Sequence, residues 1–170
     1  PVFDDAKLFE FLILETFQAG LSWITVLKKR ENFRVAFDGF NYKKIATYNE
    51  AKFNELLQNK GIIRNKLKIK ATISNAVAFM EVQNEFGSFS KYIWKFVNGK
   101  PLKNTYKTLN EVPATTDLSE IISKDLKKRG FKFVGSTVIY AHMQATGMVN
   151  DHITTCFRYQ EIVDLNNKEM

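Results

Sequence analysis

The pattern of apolar and polar positions is helical along most of the chain. The segment AKLFEFLILETFQAG, which follows Asp5, is apolar on nearly every face and predicts a first helix that lies in the interior. Gly20 is suited to end this helix in the left-handed conformation. Ser22 is suited to cap a second helix with the sequence SWITVLKKRENFRVAF. The dipeptide Gly20-Leu21 is therefore expected in a turn between two helices.

The rest of the chain continues with recognisable helix starts and stops. We expect a third helix over residues 50–58 and a long helix that is capped near Asn65. Residues 102–116 are polar and predict a long surface connection. From Asp117 the helical pattern returns, turns through FKFVGS and resumes as TVIYAHMQATG. Strand patterns and repeats are hard to find, so the sequence predicts one all-α domain of about eight helices over residues 1–170.

Composition and charge narrow the class of protein. A chain of 170 residues that is 45% hydrophobic and 25% charged is typical of one globular domain. No apolar run reaches the length of a membrane helix and the first residues do not resemble a signal peptide, so we expect a cytoplasmic protein. A single cysteine, Cys156, excludes an internal disulfide and a four-thiolate cluster. The net charge of +7 favours a polyanionic partner, although many basic proteins bind no nucleic acid.

A basic hairpin between two predicted helices is the first candidate for function. Two helices joined by the short glycine-bearing segment LKKRGFKFVGS can direct free backbone N–H groups at a phosphate. Taken alone, this segment is more often a solvated basic turn between helices. The expected DNA contacts in this segment are Lys127, Lys128, Arg129, Lys132, Gly135 and Ser136.

A carboxylate and an indole form the second candidate. Glu15 stands among leucine and phenylalanine in the first helix, where a buried charge is costly unless it is paired or bound by a ligand. From periodicity alone a structural ion pair is the more frequent explanation. Trp23 begins the second helix, and by residue type and position a tryptophan there is more often part of the core than a platform for a ligand.

Two long segments resemble a known family. LETFQAGLSWITVLKKRENF and KKRGFKFVGSTVIYAHMQATGMVNDH are very similar to the bacterial 3-methyladenine DNA glycosylase I family, and the resemblance extends to Cys156. That family is a branch of the helix-hairpin-helix DNA glycosylase superfamily that lacks the superfamily's catalytic aspartate. Asn150 stands at the aspartate's position in this chain. The resemblance implies a helix-hairpin-helix over about residues 119–147.

The resemblance also implies a site and a reaction. Glu15 corresponds to the family's base-recognising carboxylate and Trp23 to its stacking indole, while Gly20 and Leu21 correspond to a plug and wedge that fill the gap left by an extruded nucleotide. A carboxylate and an indole suit a positively charged adenine. Methylation at N3 already weakens the glycosidic bond, so no strong general acid is needed. We therefore expect a monomeric enzyme that acts on alkylated double-stranded DNA, with Glu15 as its catalytic residue, and releases free 3-methyladenine.

His152 and Cys156 are candidate metal ligands. Their spacing of four residues would let both side chains face one ion if the segment were helical, although this spacing alone is usually coincidence. The resemblance implies that both are zinc ligands, and that two more ligands belong to an N-terminal segment that precedes Pro1. We expect a truncated form with an incomplete structural zinc site.

Two other functions remain open at this point. A non-catalytic DNA-binding module would keep the hairpin and lose the chemistry. A lyase is disfavoured because no lysine lies between Ser136 and Cys156 to form the usual Schiff base. Release of free 3-methyladenine separates the glycosylase from the module, and strand nicking would identify a lyase.

Overall fold

The fold is helical almost throughout. The computed structural model describes residues 1–168, and side chains as far as residue 165. Within these residues the helices are α1 (Asp5–Gln18), α2 (Trp23–Leu27), α3 (Arg30–Ala36), α4 (Tyr42–Ile45), α5 (Glu50–Gln58), α6 (Lys66–Phe86), α7 (Phe89–Trp94), α8 (Asp117–Lys128), α9 (Ser136–Ala145) and α10 (Phe157–Lys168). Short 3-10 segments cover Asp38–Phe40, Lys95–Val97 and Leu109–Glu111, and two-residue strands are β1 (Leu102–Lys103) and β2 (Val149–Asn150). The all-α prediction is confirmed.

Helix α1 runs through the centre of the domain, as its nearly uniform apolar sequence predicts. Asp4 caps its start by accepting a hydrogen bond from the Lys7 amide, and the helix ends at Ala19. The helix packs against α6, α7 and α9, and most of its apolar side chains are fully buried, namely Leu8, Phe9, Leu12, Ile13, Leu14 and Phe17. Each such burial contributes about 2 kcal/mol to the hydrophobic free energy of folding. The following Gly20 has a φ of 79°, so the predicted left-handed stop is confirmed.

The prediction of one continuous second helix is wrong, because the structure has two helices there, α2 and α3. The break between them lies at Lys28 and Lys29. The Lys29 ammonium donates to the carbonyl oxygens of Lys60 and Gly61, at 3.3 and 3.2 Å. Beyond the break, the Phe33 ring packs against another core phenylalanine. These contacts join positions far apart in the sequence, and periodicity on both sides of the break is helical, so the pattern alone does not reveal it.

The predicted cap at Asn65 is confirmed, and Asn49, for which no cap was predicted, caps α5 in the same way. Asn49 and Asn65 accept hydrogen bonds from the first turns of α5 and α6. The sequence pattern missed α4, α10 and the pairing of the two short strands. These strands are parallel, with Leu102 opposite Val149, and they anchor one end of the predicted polar connection. No helix within residues 1–168 combines the length and the hydropathy needed to cross a bilayer.

Helices α8 and α9 pack against each other and are joined by residues 129–135, which we call the hairpin. The side chain of Asn75 on α6 forms two hydrogen bonds with the hairpin backbone, one as donor and one as acceptor. Its amide donates to the Lys132 carbonyl oxygen at 3.1 Å, and its oxygen accepts from the Lys132 N–H at 2.7 Å. The Ser123 hydroxyl also donates to the Val134 carbonyl oxygen. The hairpin is therefore fixed to α6 and α8 by polar contacts.

Candidate active site

A cavity of about 540 Å³ lies where α1, α2, α9 and the segment after β2 meet. This volume is in the range of sites that bind small molecules. Apolar residues of α9, β2 and α10 form part of its wall, and the polar and aromatic side chains that face it are Glu15, Gln18, Trp23, Gln144, Asp151 and His152. The structure thus brings the two side chains of the predicted base site, Glu15 and Trp23, into one cavity.

Glu15 is buried without a partner. It is 4% exposed, and among the described residues no hydrogen bond or ion pair reaches its carboxylate. The ion pair that periodicity favoured is therefore not formed within this part of the chain. Burial raises the pKa of Glu15 to about 7, because the low-dielectric surroundings disfavour its charged form. A ligand that carries positive charge and N–H donors would supply what this carboxylate lacks.

Trp23 is not a core residue. It is 37% exposed at the first position of α2 and faces the cavity that contains Glu15. Ser22 occupies the N-cap position, as predicted. Its hydroxyl lies 2.7 Å from the Thr25 hydroxyl and does not bond to a backbone amide. An indole at the wall of a cavity offers a flat apolar surface to a planar ligand.

The Gly20-Leu21 turn is exposed, and two hydrogen bonds with Gln18 stabilise it. Leu21 is 40% exposed, and its backbone N–H donates to the Gln18 carbonyl oxygen at 2.7 Å. The Gln18 side-chain amide donates in return to the Leu21 carbonyl oxygen, also at 2.7 Å. Gln18 belongs to the segment that resembles the family, but the sequence predicted no role for its side chain. It connects the cavity wall directly to the turn.

Asp151 is a second carboxylate of the cavity wall that the sequence analysis did not assign to the site. It accepts hydrogen bonds from the Asn104 amide at 2.6 Å and the Gln144 amide at 2.8 Å. Asn104 is brought close by the pairing of β1 and β2, which no local pattern predicts. The neighbouring Asn150 is buried, and its side chain bonds to the backbone of Tyr159 and His152. Its side chain therefore has a structural role.

His152 and Cys156 are close, but not for the predicted reason. The segment that joins them is a turn and not a helix, and it places Nδ1 of His152 3.7 Å from Sγ of Cys156. Structural zinc sites use four protein ligands. Within the described residues, no group of three or more His, Cys, Asp or Glu side chains is placed to hold a metal. The pair supplies only half of a zinc site.

The last turn of α8 and the hairpin present basic side chains, and the start of α9 is free. Lys127, Lys128 and Lys132 are exposed. Helix α9 begins after Gly135 without a side-chain cap, so the first-turn amides of the helix, from Ser136 onward, have no side-chain acceptor.

Arg129 differs from these lysines. Its guanidinium forms ion pairs with Glu85 at 2.6 Å and Asp125 at 2.9 Å, which hold the end of α8 against α6. These contacts give it a structural task, and its predicted contact with DNA stays a prediction.

Comparison with known proteins places the chain in a family. A family model described as methyladenine glycosylase matches residues 1–159. The chain is 49% identical over 159 residues to DNA-3-methyladenine glycosylase 1 of Escherichia coli strain K12, a match that covers 94% of this chain and 85% of that protein.

Solved structures agree with the sequence matches. A crystal structure of 3-methyladenine DNA glycosylase I has a TM-score of 0.90 at 52% identity, over 92% of this chain and 86% of that one. A Staphylococcus aureus 3-methyladenine DNA glycosylase I, described for its recognition of 3-methyladenine, has a TM-score of 0.90 at 34% identity, over 92% and 84% of the two chains. The match of sequence and fold along nearly the whole chain shows that it belongs to the methyladenine glycosylase family.

Proposed function

We propose that this protein is a monofunctional DNA glycosylase that hydrolyses the N-glycosidic bond of 3-methyladenine in alkylated double-stranded DNA. The observation that carries the proposal is the buried carboxylate of Glu15, which has no partner among the described residues and shares one cavity with the exposed indole of Trp23. The relatives named above bear this activity in their names. The products are the free base and an abasic site.

Charge recognition explains the choice of base. 3-Methyladenine in DNA carries a positive charge, whereas adenine is neutral. The Glu15 carboxylate accepts from the exocyclic amine and stabilises that charge, and the Trp23 ring stacks on the purine face. A cation beside Glu15 favours its ionised form and thereby offsets the effect of burial on the pKa. Neutral adenine does not provide this compensation.

The reaction needs little acid catalysis. The bond from C1′ to the base nitrogen breaks, and its electron pair neutralises the departing cationic base. The sugar acquires oxocarbenium character, water adds to C1′ and the added water loses a proton. Glu15 stabilises the base as it leaves, and this role makes it the catalytic residue. No general base is assigned.

DNA contacts lie on the hairpin and on the turn before α2. The exposed lysines 127, 128 and 132 neutralise phosphates, and the uncapped start of α9 at Gly135 and Ser136 directs amides at a phosphate oxygen. Gly20 and Leu21 fill the gap that the extruded nucleotide leaves. One chain supplies all of these groups, so the protein acts as a monomer.

Zinc would have a structural task. His152 and Cys156 have the donor types that zinc prefers, and their proximity in a turn supports a shared metal. Two further donors would complete such a site, and none is placed beside this pair within the described residues. No step of the reaction is assigned to the metal.

Release of the free base tests the proposed activity. The protein is incubated with duplex DNA methylated at N3 of adenine, and the soluble fraction is separated by chromatography. We expect 3-methyladenine and an abasic strand that stays intact until alkaline treatment. DNA binding without release would identify a non-catalytic module, and direct nicking would identify a lyase.

A further inference from the structure

Lys68 on α6 is a buried lysine that the proposed mechanism does not use. It is 6% exposed, and no carboxylate of the described residues pairs with its ammonium. Its Nζ atom donates instead to two backbone carbonyl oxygens, those of Phe17 at 2.9 Å and Ala19 at 2.5 Å. Burial lowers the pKa of Lys68, because an ammonium is costly to remove from water. An apolar side chain would avoid this cost, so packing alone does not explain a lysine here.

The two carbonyl groups belong to the last turn of α1. A helix leaves its final carbonyl oxygens without partners inside the helix, and a cation at that end also opposes the helix dipole. The same turn contains Glu15, whose carbonyl oxygen accepts from the Ala19 N–H at 3.2 Å. Ala19 in turn precedes Gly20. The ammonium thus holds the segment that joins the base-binding carboxylate to the exposed turn.

Lys68 also faces the hairpin. Its Nζ atom lies 6.0 Å from the centre of the Phe133 ring, a distance at the limit of a cation–π contact. Phe133 has a φ of 56°, which is unusual for a non-glycine residue, so the hairpin backbone adopts a specific conformation at this position. Further along α6, Asn75 binds the hairpin backbone at Lys132. Helix α6 therefore connects the end of α1 to the hairpin through polar contacts on both sides.

We propose that Lys68 is a positioning residue for base excision. It fixes the last turn of α1 relative to the hairpin, so that docking of the hairpin on DNA brings Gly20-Leu21 and Glu15 to the extruded nucleotide in one geometry. The inference rests on the proposed glycosylase function. Lys68 acts through the backbone of α1 and does not itself contact the base.

The test compares Lys68→Met with a matched control, Lys70→Met. Both changes remove one positive charge from α6, but Lys70 is exposed. Single-turnover release of 3-methyladenine is measured at saturating protein and at a temperature where every variant is folded. We expect K68M to slow release by about tenfold to a hundredfold, because small errors in placing catalytic groups cost rate. K70M should stay within about twofold of the wild type, because it removes charge without removing the two carbonyl contacts.

A second measurement separates positioning from stability and from charge. Affinity for undamaged duplex is expected to change little in either variant, because each loses one charge and neither lysine is assigned a phosphate contact. A duplex with a tetrahydrofuran abasic site beside 2-aminopurine reports insertion of the turn through fluorescence. K68M should reduce this signal and K70M should not. Lys68→Arg, which keeps charge and donors, should recover part of the rate.

Several results would overturn the inference. Equal release rates for K68M and K70M would do so. A K68M variant that binds DNA more weakly but releases the base at the wild-type rate at saturating protein would also do so. Should K68M not fold, Lys68→Gln, which keeps one donor, is expected to lose rate by severalfold relative to K70M, and no loss would count against the inference. An inactive wild type would refute the proposed function itself, whereas an active wild type with a normal K68M refutes only the role of Lys68.

Discussion

The two ends of α1 treat their acidic side chains differently. Near the start, Asp5 accepts hydrogen bonds from the first amides of α7, and Glu10 forms ion pairs with Arg30 and Arg34, both at 2.8 Å. Near the end, Glu15 has no partner among the described residues, although it is the most buried of the three. Paired acids at one end hold elements together, and the unpaired acid at the other end faces a cavity.

This difference separates acidic side chains with a structural role from one with a functional role on the same helix. A fold that only required stability would satisfy or remove a buried carboxyl, because leaving it unpaired costs free energy. In the proposed function, a cationic base offsets the free-energy cost of burying the Glu15 carboxylate. The same contrast recurs at the hairpin, where Arg129 is paired and the three lysines are exposed.

The largest effect is expected when the unpaired acid Glu15 and the paired acid Glu10 are each replaced by glutamine and compared. Glu15→Gln should lower the rate of 3-methyladenine release by about a hundredfold to a thousandfold, because a neutral amide cannot stabilise the cationic base. Glu10→Gln is the matched control, and it should lower stability while the release rate at saturating protein stays within about twofold. The rates are measured by single-turnover release of the base. Near-normal release by E15Q would refute the role of Glu15.

The pH dependence of stability sharpens the same comparison. The pKa of Glu15 is about 7 in the folded protein and near 4.5 in the unfolded chain, so below pH 4.5 the acid is neutral in both states and costs nothing. Between pH 4.5 and 7 the unfolded chain releases its proton first, and stability is lost as the pH rises. E15Q should therefore be more stable than the wild type at pH 8, by on the order of 3 kcal/mol, and equal to it at pH 4. Urea unfolding at both pH values checks this, and equal stabilities at pH 8 would contradict it.

Trp23 tests whether the cavity binds a planar base. Trp23→Ala should weaken capture of the extruded base by about 1–3 kcal/mol, the usual contribution of stacking on an aromatic ring. Trp23→Phe keeps a ring and should retain most of this contribution. The exposed position of Trp23 means that neither variant should greatly reduce the melting temperature. A release rate for W23A equal to that of the wild type would exclude stacking.

The smallest effects are expected from substitutions of the basic residues at the end of α8 and in the hairpin. Lys127→Ala, Lys128→Ala and Lys132→Ala should each weaken duplex affinity severalfold and reduce the salt dependence of binding by about one counterion. Arg129→Ala should instead lower the melting temperature, because Glu85 and Asp125 lose their partner. Affinity at two salt concentrations and thermal unfolding separate these outcomes. A lysine variant with an unchanged salt slope would exclude that side chain from the DNA contact.

Local signals predicted the parts of the fold that local physics controls. The stop at Gly20 and the cap at Asn65 are where the sequence predicts them, because caps and left-handed turns depend on a few neighbouring residues. The break between α2 and α3 was missed because its stabilising contacts come from residues about thirty positions away. The pairing of β1 with β2 was missed for the same reason.

The sequence by itself determined the helical class, the family and the identity of Glu15 and Trp23 as candidates, since motifs and periodicity are properties of neighbouring residues. Only the tertiary structure decided that these two side chains share a cavity, that Glu15 has no partner in the described chain, and that Arg129 does. It also placed Gln18, Asp151 and Lys68 at or beside the site. Burial and pairing depend on which distant segments meet, and no local pattern specifies them.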